Sequence, residues 1–167
     1  MNKKKMIIII VVILVVLGVA ATVAFLAGQN KVHEYYCDKF MLTVDDKQYD
    51  LLETEPELSS VSALQQITNR HLFILGRIDE SNNMLLVYDF KKDEFVFHDK
   101  GITMCWIQDD FHSTRYLKED VVYDLEGNVI YKPDEAHTIN MIEYVDKDFC
   151  VTIADLEHQN PEQVWVE

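Results

Sequence analysis

The most reactive-looking group of neighbouring side chains in the sequence is an acid pair followed by a histidine: Asp109, Asp110 and His112. Carboxylates at the end of a strand can bind a cation or act as a general base. They support the hypothesis of an envelope hydrolase with its site near Asp109 and Asp110. However, Ser113 and Thr114 follow without the Gly-x-Ser-x-Gly elbow of a serine hydrolase, and an acid pair at a turn is commonly just solvated. We therefore predict no catalytic residue and keep the hydrolase as the alternative.

Metal and cofactor chemistry has little support in the pattern of ligand-type residues. The six histidines lack the i,i+4 and His-x-His spacings that gather metal ligands; they are His33, His71, His98, His112, His137 and His158. The acidic turn at residues 79–83 lacks the following Gly and distal Glu of a calcium loop. The sequence predicts no metal and no cofactor.

The segment that decides where any site would be is an unbroken apolar run, residues 6–27, directly after Lys3, Lys4 and Lys5. A helix over this run is about 33 Å long, which matches a hydrocarbon core of about 30 Å. The lysines predict a cytoplasmic tail at residues 1–5, with the chain after the span outside. The run is longer than the apolar region of a secretory signal peptide, so we favour an uncleaved signal anchor over a cleaved signal.

Small residues recur at every fourth position toward the end of this span: Ala20, Ala24 and Gly28. Such spacing lets two transmembrane helices approach closely, which predicts a homodimer through the helix. A simple taper of the span toward its exit explains the same residues equally well.

The exported part is strongly acidic. All 29 acidic residues follow the apolar run, and three of the 15 basic residues precede it, so its formal charge is −17. Such a surface repels nucleic acid and anionic lipid headgroups, and it could attract basic partners or merely keep the domain soluble. The three cysteines are too few for a disulfide-rich scaffold, and the whole composition is typical of a bacterial surface protein.

Beyond a polar and aromatic connector at residues 28–39, the pattern changes to short apolar runs separated by turns. No long amphipathic helix is evident, which predicts one all-β ectodomain of short antiparallel strands over residues 40–167. We expect strands at residues 40–44, 48–52, 61–67, 71–78, 84–90, 94–98, 102–107, 112–117, 121–125, 128–131, 139–145, 149–154 and 164–166. For residues 61–67 a short helix is the alternative to a strand.

An internal repeat accompanies this spacing. Residues 87–90, 95–97 and 102–104 match residues 122–125, 129–131 and 139–141 in order, with an offset of 35 residues at the first landmark and 37 at the last. A unit of about 40 residues with four short strands is the size of one β-propeller blade.

Over residues 84–153 the chain resembles the blades of bacterial extracytoplasmic β-propeller proteins, whose hairpins often read like residues 122–131. The resemblance implies propeller-like repeats. It carries no single activity and transfers no site. The chain has material for about three blades, whereas closed propellers have four to eight. We therefore expect an open or incomplete array of blades, or a ring completed by dimerisation through open sheet edges. The third alternative is a sandwich or barrel in which the repeat reflects only two similar hairpins.

These observations together predict a membrane-anchored, single-pass binding or interaction module outside a bacterial cell, which serves as an accessory to a cell-envelope or membrane protein. Its partners would be the lipid bilayer and a protein or cell-envelope ligand, and not nucleic acid. Besides the hydrolase, the alternative is a membrane-tethered immunity or inhibitor protein, for which the anchor itself would matter.

Overall fold

The computed structural model describes residues 33–67, 69–108, 111–145 and 148–166. The predicted span at residues 6–27, and with it Ala20, Ala24 and Gly28, lies outside them. Among the described residues no helix has the length and apolar character needed to cross a membrane.

The described chain is nearly all β-strand. Thirteen strands and one four-residue helix follow one another as β1 (Tyr35–Asp38), β2 (Met41–Val44), β3 (Lys47–Asp50), α1 (Leu51–Thr54), β4 (Ser60–Ile67), β5 (His71–Arg77), β6 (Asn83–Asp89), β7 (Glu94–Trp106), β8 (Arg115–Lys118), β9 (Val121–Asp124), β10 (Val129–Tyr131), β11 (His137–Val145), β12 (Asp148–Asp155) and β13 (Glu162–Val166). The predicted all-β class is confirmed.

The strands form three antiparallel sheets in which each strand pairs with its neighbours in sequence. The first sheet is β1-β2-β3, the second is β4 through β10 in chain order, and the third is β11-β12-β13. Because the turns between paired strands are short, most of the pairing is local. The described strands do not close into a propeller ring.

The second sheet consists of two halves that share one long strand, β7. Up to Ile102 this strand pairs with β6, and from Ile102 onward it pairs with β8. Gly101, at the change of partner, has φ +77°, a conformation that glycine adopts without steric cost. The sequence suggested two strands here, and the structure shows one strand that bends.

The first sheet, the two halves of the second sheet and the third sheet pack face to face, because side chains alternate between the two faces of each strand. On β5 and β6, Leu72, Ile74 and Leu86 point toward the first sheet, whereas Phe73 and Leu85 point toward the second half of the second sheet. A further cluster joins β8 and β9 to the third sheet. Residues 34–167 thereby form one compact unit with three core clusters between four successive layers. The inner strands β5 and β6 are buried on both faces.

A recurrent aspartate ends one strand in each layer: Asp50, Asp89, Asp124 and Asp155. In all four cases its Oδ1 accepts a hydrogen bond from the backbone N–H two residues ahead, at 2.8 to 3.1 Å. Such Asx turns reverse the chain or, after Asp50, cap a helix. Asp89 and Asp124 occupy equivalent positions in the internal repeat, and Asp50 and Asp155 form the same turn in the first and third sheets.

Two further local assignments differ from the sequence prediction. β1 lies within the range assigned to the connector, where Tyr36 and Cys37 pair with Thr43 and Leu42. The expected strand over residues 48–52 ends at Asp50, because the Asp50 side chain caps α1.

Candidate functional site

The predicted polar cluster is only partly within the described chain. Asp109 and Asp110 lie outside it. His112 is exposed, with its Nδ1 2.5 Å from Oε1 of Glu126, and its ring contacts Phe111. This surface pair supplies no third group and no enclosure, so His112 contributes nothing that distinguishes an active site from a solvated loop.

A buried carboxylate, Asp89, lies at the turn between β6 and β7. Its oxygens accept hydrogen bonds from the backbone N–H groups of Lys91 and Lys92 at 2.8 and 3.2 Å, and from Nε of Arg70 at 2.9 Å. Burial alone would raise the pKa of Asp89, but these donors outweigh it and hold the pKa below its usual value. A carboxylate so fully occupied stabilises the turn and is a poor general base.

His71 lies beside this carboxylate, with Nε2 3.7 Å from Oδ2 of Asp89. Burial lowers the pKa of His71 in spite of that carboxylate, so the ring is neutral at physiological pH. Its other neighbour is the ring of Phe111, 4.9 Å away between centroids. His71 therefore packs the start of β5 against the β7–β8 loop.

A second acid, Asp93, joins the first sheet to the second. It accepts hydrogen bonds from Lys47 and from the hydroxyls of Tyr49 and Tyr88, and the two hydroxyls are 2.7 Å apart. The Lys47 and tyrosine bonds hold the pKa of Asp93 well below its usual range, while burial and the bond to Asp93 raise that of Tyr88. Both groups keep one protonation state near neutral pH, which fits a structural role.

The third acid, Glu55, fixes the segment that leads to β4. It is buried, with Nε2 of His98 at 3.4 Å and Nζ of Lys100 at 3.5 Å. Burial would raise the pKa of Glu55, but the hydrogen bond from the Glu57 N–H, together with Lys100 and His98, lowers it. Leu58 follows in the core. The segment before β4 is therefore fixed by the polar contacts of Glu55 and by the packing of Leu58 in the core.

A cleft between β1 and β4 is a concavity that these elements define within the described chain. Its volume is about 570 Å³, within the usual range for ligand sites. It is lined by Cys37, Lys39, Phe40 and residues 59–64. Ser59 is anchored at its rim, since both its N–H and its hydroxyl donate to the carbonyl of Arg77 at 2.8 Å.

Both walls of this cleft are edge strands. β1 is the outer strand of the first sheet and β4 that of the second. The described β4 pairs only with β5, in a register that runs from Ser60↔Arg77 to Ile67↔His71. An edge strand presents unpaired backbone N–H and C=O groups on its free side.

β4 is also chemically unusual for this chain. Its eight residues carry no charge, although charged residues make up 26% of the sequence. Each other edge strand of the described sheets is either the three-residue β10 or contains a charged residue, namely Asp38 in β1, Lys47 in β3, Glu143 in β11 and Glu162 in β13. Charged side chains protect edges from unwanted pairing, and β4 lacks that protection.

Neither metal nor thiol chemistry is assembled in the described part of the chain. No three His, Cys, Asp or Glu residues there are grouped as a metal ion would require. The three cysteines are free thiols. Burial and then Asp38 raise the pKa of Cys37, the thiol in the cleft, so it is a weak nucleophile.

The cleft is not predictable as a site from the sequence, because the Ser and Gln residues of β4 form no recognisable motif. The absence of charge over residues 58–69 of so acidic a chain was the available signal. No family model, curated protein or solved structure matches the chain. The described chain is an antiparallel all-β stack in which β4 is the long edge strand without charge.

Proposed function

We propose that this protein is a membrane-anchored, non-catalytic binding module whose β-sheet domain is displayed outside a bacterial cell as an accessory to an envelope or membrane protein. The observation that carries the proposal is the uncharged edge strand β4 beside an open cleft. Function by binding is favoured because three acids of the described chain, Asp89, Asp93 and Glu55, are occupied in structural contacts.

We also infer that the stack is an open propeller-like array. Its support is the succession of face-to-face layers, the Asx turn repeated once in each layer, and a second sheet that divides into two four-stranded meanders at β7. Four-stranded sheets are the building blocks of propeller blades. The first and third sheets have three strands each, one fewer than a complete blade. Incomplete terminal blades are consistent with an open array.

The anchor proposal rests on residues 1–27 alone, through the lysines and the apolar run. Protease added to intact cells should remove a carboxy-terminal epitope tag, and the remaining fragment should stay in the membrane fraction. Epitope protection in intact cells, with cleavage after lysis, would contradict the exported orientation. Recovery of a mature chain free of membrane and lacking its leader would contradict the anchor.

The binding proposal is tested by a photo-crosslinking amino acid placed in intact cells at three separate surfaces: Tyr36 on the first sheet, Ser62 in the cleft and Trp165 on the third sheet. All three side chains are exposed. A binding module should give a discrete protein adduct from at least one position. The absence of an adduct from all three positions would refute the proposed function.

A further inference from the structure

We propose that the outer face of the third sheet binds a basic segment of another protein, with an arginine side chain held between Trp165 and Glu143. This inference rests on the proposed binding function and specifies the chemistry of the partner. Side chains alternate along β11, β12 and β13, so one set packs into the core cluster shared with β8 and β9. The other set, on the opposite side, forms the outer face.

Large apolar side chains are grouped on this outer face. Of the eight large hydrophobic residues that are exposed in the described chain, three belong to it, namely Met141, Val145 and Trp165. Trp165 is 53% exposed although it lies within a paired strand. Single exposed hydrophobic residues are common, but a group on one face marks an interaction surface, and tryptophan is enriched among the residues that dominate binding energy.

The central strand of the sheet contributes small side chains to this face. Cys150 and Thr152 of β12 lie on it, and Cys150 pairs with Glu143 on one side and with Trp165 on the other. Larger side chains on β11 and β13 therefore flank a shallow trough along β12. Because neighbouring strands are about 4.8 Å apart, the two strands that flank the trough are about 10 Å apart, which leaves room for one side chain of a partner.

The charge of this region is negative. Residues 134–167 contain nine acidic residues and one basic residue, Lys147, a formal charge of −8 out of −17 for the exported part. None of the three strands contains Lys or Arg. Glu143 and Asp148 lie on the outer face itself, and the Glu143 carboxylate adds to burial in raising the pKa of Cys150. Its charge therefore acts at the trough, where a basic group would be complementary.

An arginine side chain is suited to both flanks of this trough. Its planar guanidinium stacks on an indole ring, here that of Trp165, and donates paired hydrogen bonds to a carboxylate, here that of Glu143. The apolar side chains of Met141 and Val145 offer adjacent contacts for uncharged residues of the same segment. We therefore assign the face to a protein segment that combines arginine with apolar residues.

The test places the photo-crosslinking amino acid at Gln163 of the full chain in intact cells. Gln163 is exposed and lies on the outer face, two residues from Trp165 on β13. Mass spectrometry of the adduct should identify a captured segment that has a net positive charge and contains arginine close to the crosslinked residue. In isolated membranes, a higher salt concentration should reduce the yield of this adduct, because salt screens exposed charges.

Substitutions on the face provide the second readout. With the crosslinker at Gln163, Glu143→Gln should reduce the yield about threefold through loss of the ion pair, whereas Glu143→Asp, which keeps the charge, should retain most of it. Glu135→Gln removes the same charge at an exposed position before β11 and should leave the yield unchanged.

The aromatic contribution is tested in the same way. Trp165→Leu keeps an apolar side chain but removes the indole ring, so it should reduce the yield about threefold. Trp106→Leu is the matched control, because Trp106 is the other tryptophan of the chain, is also exposed and lies on β7. It should leave the yield unchanged.

Four results would overturn the inference while leaving the binding function intact. These are adducts from Tyr36 or Ser62 with none from Gln163, a captured segment that is neutral or acidic, a yield that neither salt nor Glu143→Gln reduces, and adducts to this chain itself or to a second copy of it. Absence of adducts at every position, including Tyr36, Ser62 and Trp165, would refute both proposals.

Discussion

Asp89 provides the sharpest test of the idea that carboxylates in this domain build turns. Replacement by alanine removes one hydrogen bond from Arg70 and two from backbone N–H groups. At about 1 kcal/mol for each, and somewhat more for the charged pair with half-exposed Arg70, the expected loss of unfolding free energy is about 3 kcal/mol. Asp89→Asn keeps the Oδ1 acceptor of the turn and should lose about 1 kcal/mol.

These losses can be measured as shifts of the urea unfolding midpoint, followed by tryptophan fluorescence on the full chain in detergent. With a slope of about 2 kcal/mol per molar urea, Asp89→Ala should shift the midpoint by about 1.5 M and Asp89→Asn by about 0.5 M. Asp155→Ala is the matched control, because Asp155 makes the equivalent turn at a more exposed position. A shift for Asp89→Ala no larger than that of the control would refute the reasoning.

The pH dependence follows from the lowered pKa of Asp89. Because the folded-state value lies below the unfolded one, this carboxylate contributes stability above the unfolded pKa of about 3.9. The contribution is lost as the pH falls through the folded-state value. The stability difference between the wild type and Asp89→Asn should therefore be constant from pH 7 to pH 5 and shrink below about pH 4. A difference that grows on acidification would contradict the assigned charge state.

Three further predictions test the packing and the thiols. Gly76→Ala should destabilise the domain by about 1–3 kcal/mol in urea unfolding, because the added Cβ would lie 2.5 Å from the nearest core side-chain atom; Gly127→Ala, with open space around it, tests the cost of positive φ alone. At pH 8, maleimide should label Cys37 well before Cys105, since burial raises the pKa of Cys105 to about 12; equal rates would argue against the burial. Tyr88→Phe should cost about 1–2 kcal/mol, as it removes the hydroxyl that bonds Asp93, and unchanged stability would argue against that bond.

Much of the fold could be predicted from local patterning, and the misses have local causes. The strands at residues 71–77 and 83–89 are strongly apolar, so they can be predicted without tertiary information. β1 was missed because four residues with two tyrosines give too short an alternation. At Gly101 the sequence predicts a break between two strands, because glycine is typical of both turns and bulges. The structure has a single strand, β7, that changes partner there.

The candidate site was beyond sequence reasoning for a different reason. A cluster of reactive side chains such as Asp109, Asp110 and His112 can be identified from the sequence alone. A cleft cannot, because it depends on which strand edges lie side by side in the folded chain. β1 and β4 contact one another although a complete hairpin and a helix separate them in sequence. Ser60, Ser62 and Ala63 have no reactive group, so only their exposure on an edge strand marks them.

The packing itself limits where this protein can bind a partner. Leu72 and Phe73 on β5 face opposite core clusters, and Leu85 and Leu86 on β6 do the same, so β5 and β6 have no free face. These two strands therefore offer no face to a partner, which leaves surfaces such as loops, the outer faces of the terminal sheets and strand edges. Among the edges of the described sheets only β4 combines length with the absence of charge.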